Sequence, residues 1–122
     1  MLRSRGSARL APLRRRLSMV VGCGSNVVDV FFRLREMPKS GEKGYFLDPE
    51  KVVEGTVVGG VTLNHLSWAS VLGTPTGLMA MQGTDANGAQ IREKMADLGV
   101  SAEHVRVSDE YATSLSHILI DA

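Results

Sequence analysis

The sequence predicts an α/β fold: a parallel sheet joined by right-handed crossovers. Three observations carry that reading. β-Branched apolar runs alternate with two stretches of helical length, about 10–13 residues each. Each stretch closes on a glycine, Gly73 or Gly99. Turn-forming residues separate the runs. The 122 residues are enough for one domain and too few for two.

Taken in order, Met19 to Gly22 is a short apolar run ending in Gly22-Cys23-Gly24-Ser25, which reads as a buried strand and a sharp turn. Val27 to Leu34 is apolar and β-branched again, interrupted by Asp29, and reads as a continuation of that strand or a short second piece. Pro38 and Gly41 end it. Residues 42–58 hold Tyr45, Phe46 and a valine-rich run, divided by the turn signal Asp48-Pro49, and are expected to form a projecting hairpin or strand pair. Leu63, Leu66, Ala69 and Leu72 recur at helical spacing over 61–72. Gly77 to Gln82 is a strand. Asp85 is placed to cap a helix from about Ala86 to Leu98, with Ile91, Met95 and Leu98 on one face. His104 to Val107 and Leu115 to Ile120 read as two more strands.

Composition narrows the function. Hydrophobic residues make up 43% and charged residues 22%, an ordinary globular balance. No apolar run approaches the roughly 20 residues that span a bilayer. The single cysteine, Cys23, excludes an internal disulfide, has no neighbouring ligands for a metal, and reads as a small core residue. The net charge of +1 conceals an asymmetry. Residues 1–18 hold six arginines and no acid; residues 19–122 hold eight Lys or Arg against 13 Asp or Glu, a net −5. The acidic body argues against a nucleic-acid surface. The basic segment, Arg- and Ser-bearing with Leu at 2, 10, 13 and 17, has the character of a mitochondrial or plastid transit peptide; a basic tail ahead of a true start at Met19 fits as well. The domain proper is therefore 19–122.

Four residues stand out as a binding constellation: Gly59, Gly60, Asn64 and Asp29. A small polyol is held through its hydroxyls, which requires backbone that a ligand can approach, and only glycine lacks the Cβ that obstructs it. Asn64, four positions after Gly60 on the first helical turn, carries both a donor and an acceptor. Asp29 is the lone acid in a β-branched strand, costly to bury unpaired, and a carboxylate accepts from two adjacent hydroxyls at once. Taken alone, the glycines also suit a plain strand-to-helix turn, and Asp29 an exposed strand end. Gly22-Cys23-Gly24 looks like the start of a dinucleotide fingerprint, but Val27 stands at the third glycine, and the candidate ribose acids Glu42, Asp48 and Glu50 follow no clear helix. His65, His104 and His117 have no ligand or triad spacing, and the methionines and Trp68 read as packing residues.

Together these features resemble the ribokinase-like (PfkB) carbohydrate kinase family. Val20 to Asp29 resembles that family's first strand with its substrate aspartate. Pro38-Lys39-Ser40-Gly41-Glu42 is similar to the Pro-x-x-Gly-Glu that leads into the lid strands. Asn64, Gly73 and Gly83 fit the glycine signature in register, as does Gly83-Thr84-Asp85-Ala86-Asn87-Gly88. Thr62 and Leu66 replace residues usually small. The resemblance implies an incomplete three-layer, Rossmann-like sheet with β lid strands at about 42–58. It implies substrate binding by Asp29, Gly59, Gly60 and Asn64, with a sugar or nucleoside as substrate. The family's catalytic base and anion hole lie in a Gly-Ala-Gly-Asp motif that these 122 residues do not contain, so no catalytic residue is assigned, and no metal ligand either. ATP and Mg2+ are expected to belong to a longer enzyme, with weak binding at most to this chain alone. The lid strands are a possible homodimer contact. A non-catalytic sugar-binding or dimerisation module, and an NAD-binding domain, are the alternatives.

Overall fold

The computed structural model describes residues 19–122; the basic segment at 1–18, and its targeting reading, lie outside the described residues. The elements are β1 (Val20–Cys23), β2 (Val27–Leu34), β3 (Gly55–Gly59), α1 (Val61–Val71), β4 (Thr76–Gly83), α2 (Ala86–Asp97), β5 (Val100–Ser101), β6 (Val105–Ser108) and β7 (Leu115–Asp121).

The strands form two sheets. In the first, β4 is the hub: it pairs in parallel with β1, with β5 at Thr76–Gly77, and with β6 along Ala80–Gly83. The parallel pairing with intervening helices is as the alternation predicts. In the second, β2 lies between β3, antiparallel, and β7, parallel. The Gly24–Asn26 turn therefore divides the opening run between two sheets. β2 is neither an extension of β1 nor a minor piece; it is the centre of the second sheet.

Residues 42–58 depart from the expected hairpin. Instead of pairing with itself, the segment lies along one edge of β2. Arg35 N donates to Tyr45 O (2.9 Å), Leu47 N to Arg33 O (2.9 Å) and Glu54 N to Phe31 O (2.8 Å) before β3 begins. The excursion between them turns at Asp48, whose Oδ1 accepts from Glu50 N at 2.9 Å. β2 offers a long free edge, and its backbone groups satisfy those of 45–47 and 54–59 better than a short isolated hairpin does.

The core lies where α1 and α2 cover β4 and the start of β2: Val28, Leu63, Leu66, Leu78, Ile91, Met95 and Val100 are buried together. α1 shields the Gly22 side of β1, since a Cβ there would sit 2.9 Å from Thr62 Cγ2. Alternation then sends Val21 and Cys23 to the opposite face, beside Met79 of β4. Cys23 is exposed, not a core residue. Trp68 (69% exposed), Leu72 and Met81 are also exposed, and of the described methionines only Met95 is buried. Cys23 and Met81 stay uncovered because, among the described residues, the helices lie over only one face of the β4 sheet; Trp68 and Leu72 lie on the outer side of α1 and just past its end.

Candidate substrate site

The two helices begin in different ways, and that difference builds the site. α2 is capped by its own side chain: Asp85 Oδ1 accepts from Gly88 N at 2.8 Å. Asp85 Oδ2 also accepts from Thr113 N at 2.8 Å, tying α2 to the segment that enters β7. These backbone donors at Thr113 and Gly88, together with the Thr113 hydroxyl, hold the Asp85 carboxyl below its ordinary pKa; the Arg92 charge adds to the effect and burial opposes it.

α1 has no side-chain cap. Its N-terminus is Gly60, at φ 102° and ψ 130°, and a Cβ there would lie 2.6 Å from Ser25 O and 2.8 Å from Asn26 Cα. No other residue type fits that approach at that backbone angle. In place of a side chain, the Ser25 carbonyl accepts from Leu63 N at 3.3 Å.

Gly59 lies against the predicted acid. A Cβ at Gly59 would come 2.5 Å from Asp29 Oδ2. Asp29 is half-buried, level with Val57 of β3 and Ser116 of β7 in the sheet register. Lys51–Glu54 is the sole ion pair among the described residues, so this carboxylate has no ionic partner there. Asp29 and Gly59 thus lie in contact, and Gly60 follows next along the chain, against the Ser25–Asn26 turn. Asn64 is joined to it through the backbone, donating its N–H to Gly60 O at 2.9 Å. It also borders a separate cavity of about 70 Å³ with Val58, Ser67, Trp68 and Lys94, whose lining does not include Asp29. Val58 pairs with Val28 on the core side of β2–β3, whereas Asp29 and Gly59 alternate to the other face. The site is continuous through the glycine backbone; the Asp29 and Asn64 residues do not line one shared cavity.

Sequence reasoning missed the buried amides behind this surface. Asn26 Oδ1 accepts from Gln82 Nε2 at 2.9 Å, and Gln82 Oε1 accepts from Arg92 Nη1 at 3.0 Å. Thr113, whose Oγ1 accepts from Gly83 N at 2.8 Å, was likewise unread. One signal was present: Gln82 is a polar residue inside an apolar strand run.

The dinucleotide reading does not fit, and the start of α2 is no anion site either. The Gly22–Ser25 turn leads into a strand and not a helix, and Gly24 is pressed against the Thr62 hydroxyl, so no free backbone faces a pyrophosphate. At the start of α2 the amide of Gly88 is taken by Asp85, a carboxylate that repels phosphate. Among the described residues no three His, Cys, Asp or Glu side chains gather to hold a metal ion. No described helix is long and apolar enough to cross a membrane.

Comparison with known proteins agrees with this architecture. The pfkB family carbohydrate kinase model matches residues 49–122, more than half of the chain. The chain belongs to the pfkB family of carbohydrate kinases. No curated protein sequence matches it. Among solved structures, ribokinase from Cryptococcus neoformans var. grubii serotype A, determined with ADP, superposes at a TM-score of 0.69 and 22% identity over 86% of this chain and 32% of its own. A putative ribokinase from Agrobacterium tumefaciens gives 0.65 and 24% over 84% and 32%. Aminoimidazole riboside kinase from Salmonella enterica, determined with its riboside and an ATP analog, gives 0.59 and 19% over 80% and 28%. The fold is ribokinase-like and incomplete: the chain spans about a third of the length of these structures.

Proposed function

We propose that this chain is the substrate-holding amino-terminal portion of a PfkB-type kinase that transfers the γ-phosphate of ATP to a hydroxyl of a sugar or nucleoside. One observation supports this above the rest: Asp29, a carboxylate with no ionic partner among the described residues, is set directly against Gly59, which carries no side chain. Asp29 accepts hydrogen bonds from neighbouring hydroxyls and Gly59 admits the ring beside it; Gly60 holds the turn behind them, and Asn64, bordering the separate cavity, stands outside this contact set. ATP and Mg2+ bind elsewhere in the complete enzyme, in keeping with the capped start of α2. The base that deprotonates the acceptor hydroxyl and the amides that stabilise the transferring charge belong to the same missing region. Residues 42–58 serve as the lid and as a contact for a second copy, and the arginine-rich residues 1–18 direct the protein to an organelle.

Calorimetric titration with a panel of pentoses, hexoses and nucleosides tests the reading. Binding of one class, lost in Asp29→Ala with the thermal midpoint kept, supports it. Turnover of ATP and sugar by this chain alone refutes the assignment of catalysis to other residues, and an Asp29→Ala variant that binds like the wild type refutes the site.

A further inference from the structure

A line of three side chains runs beneath the glycine surface. Arg92, on α2, donates from Nη1 to Gln82 Oε1 (3.0 Å) and to Gly83 O (3.3 Å). Gln82, on β4 and 1% exposed, donates from Nε2 to Oδ1 of Asn26, itself 6% exposed. The guanidinium only donates, so it fixes which end of the Gln82 amide faces outward, and that in turn fixes which atom Asn26 presents. Asn26 belongs to the turn on which Gly60 rests, and the neighbouring Ser25 carbonyl supplies the cap that α1 lacks.

We propose that Gln82 and Arg92 are positioning residues for the substrate surface: through Asn26 they set the Ser25–Asn26 turn, and the turn sets the backbone of Gly60 and the first turn of α1. The purpose of that alignment rests on the sugar-site reading; its geometry does not. Removing the Gln82 amide leaves the buried Asn26 oxygen without its partner and Arg92 with only its bond to Gly83 O, and the turn is the part free to move in response.

The Leu63 amide reports on this directly. At the third position of a helix it has no intrahelical acceptor, so its protection from solvent exchange comes from Ser25 O. Amide hydrogen exchange is measured by NMR on the full chain, on Gln82→Leu and on Gln82→Glu, with the amides of Val28 and Leu98 as references, since they are bonded to Ser114 O and Lys94 O. In Gln82→Leu the Leu63 amide exchanges faster by about tenfold relative to both references. Gln82→Glu restores it, because two carboxylate oxygens accept from Arg92 and from a flipped Asn26 amide. A change of equal size at all three amides, or no change at Leu63, overturns the proposal. Should Gln82→Leu fail to fold, Arg92→Met at its part-exposed position gives the same readout. Sugar titration of the same samples keeps the two claims apart. A wild type that binds no sugar refutes the substrate site and leaves the exchange result standing. A wild type that binds sugar while Leu63 stays protected in the variants refutes the positioning role alone.

Discussion

Adjacent glycines at 59 and 60 do different work, and substitution separates them. A methyl at Gly59 meets the terminal oxygen of a side chain, Asp29 Oδ2, which can rotate away. Gly59→Ala is therefore expected to weaken sugar binding while changing the chemical-denaturation midpoint little. A methyl at Gly60 meets main chain, Ser25 O at 2.6 Å, at a backbone angle that L-residues avoid. Gly60→Ala should cost about 1–3 kcal/mol in the same denaturation measurement. If the two variants lose equal stability, the assignment of Gly59 to the ligand and Gly60 to the fold is wrong.

At the scale of elements, Asp85 joins α2 to the segment that leads into β7. Its folded-state pKa lies below the ordinary carboxylate value, so in the acid range the unfolded chain binds the extra proton and stability rises with pH. The contribution is complete above the ordinary carboxylate pKa and is lost as pH falls through the lowered folded value. Urea unfolding of wild type and Asp85→Ala at neutral pH and at successively lower pH measures it. The wild type should be the more stable at neutral pH, and the gap should close toward strongly acid pH; a gap independent of pH contradicts the clamp. α2 was legible from sequence because its signals are local: a capping Asp, an apolar face of Ile91, Met95 and Leu98, and a glycine after the end. α1 was legible in its bounds but not in how its first turn is capped, because the cap comes from Ser25, distant in sequence. Residues 42–58 misled for the same reason: their hydrogen bonds go to β2 and its end, across the turn and 10 to 23 residues away (45 − 35 and 54 − 31).

At the scale of the whole molecule, one face of the β4 sheet has no helix over it among the described residues. Val21, Met79 and Met81 are each 42–48% exposed, and α1 turns Trp68, Val71 and Leu72 outward. The isolated chain is expected to associate with itself in a concentration-dependent way. Light scattering should show the monomer fraction rising in a Met79→Gln, Met81→Gln double variant, with the thermal midpoint within a few degrees of wild type. A wild type that stays monomeric at high concentration would show that these apolar side chains are tolerated in water.

The order of strands and helices, the helix ends, the glycine register and the resemblance to a kinase family were all written in the chain, because each depends on residues a few positions apart. Tertiary structure alone decided that the opening run splits between two sheets, that Cys23 and most methionines face outward, and that Asn26, Gln82 and Arg92 interlock. Those outcomes depend on which faces the helices cover and on partners up to 56 residues apart, as Gln82 is from Asn26. Local patterning fixes an element's period and ends; it cannot say which other element supplies the missing hydrogen bond or covers the far side of a sheet.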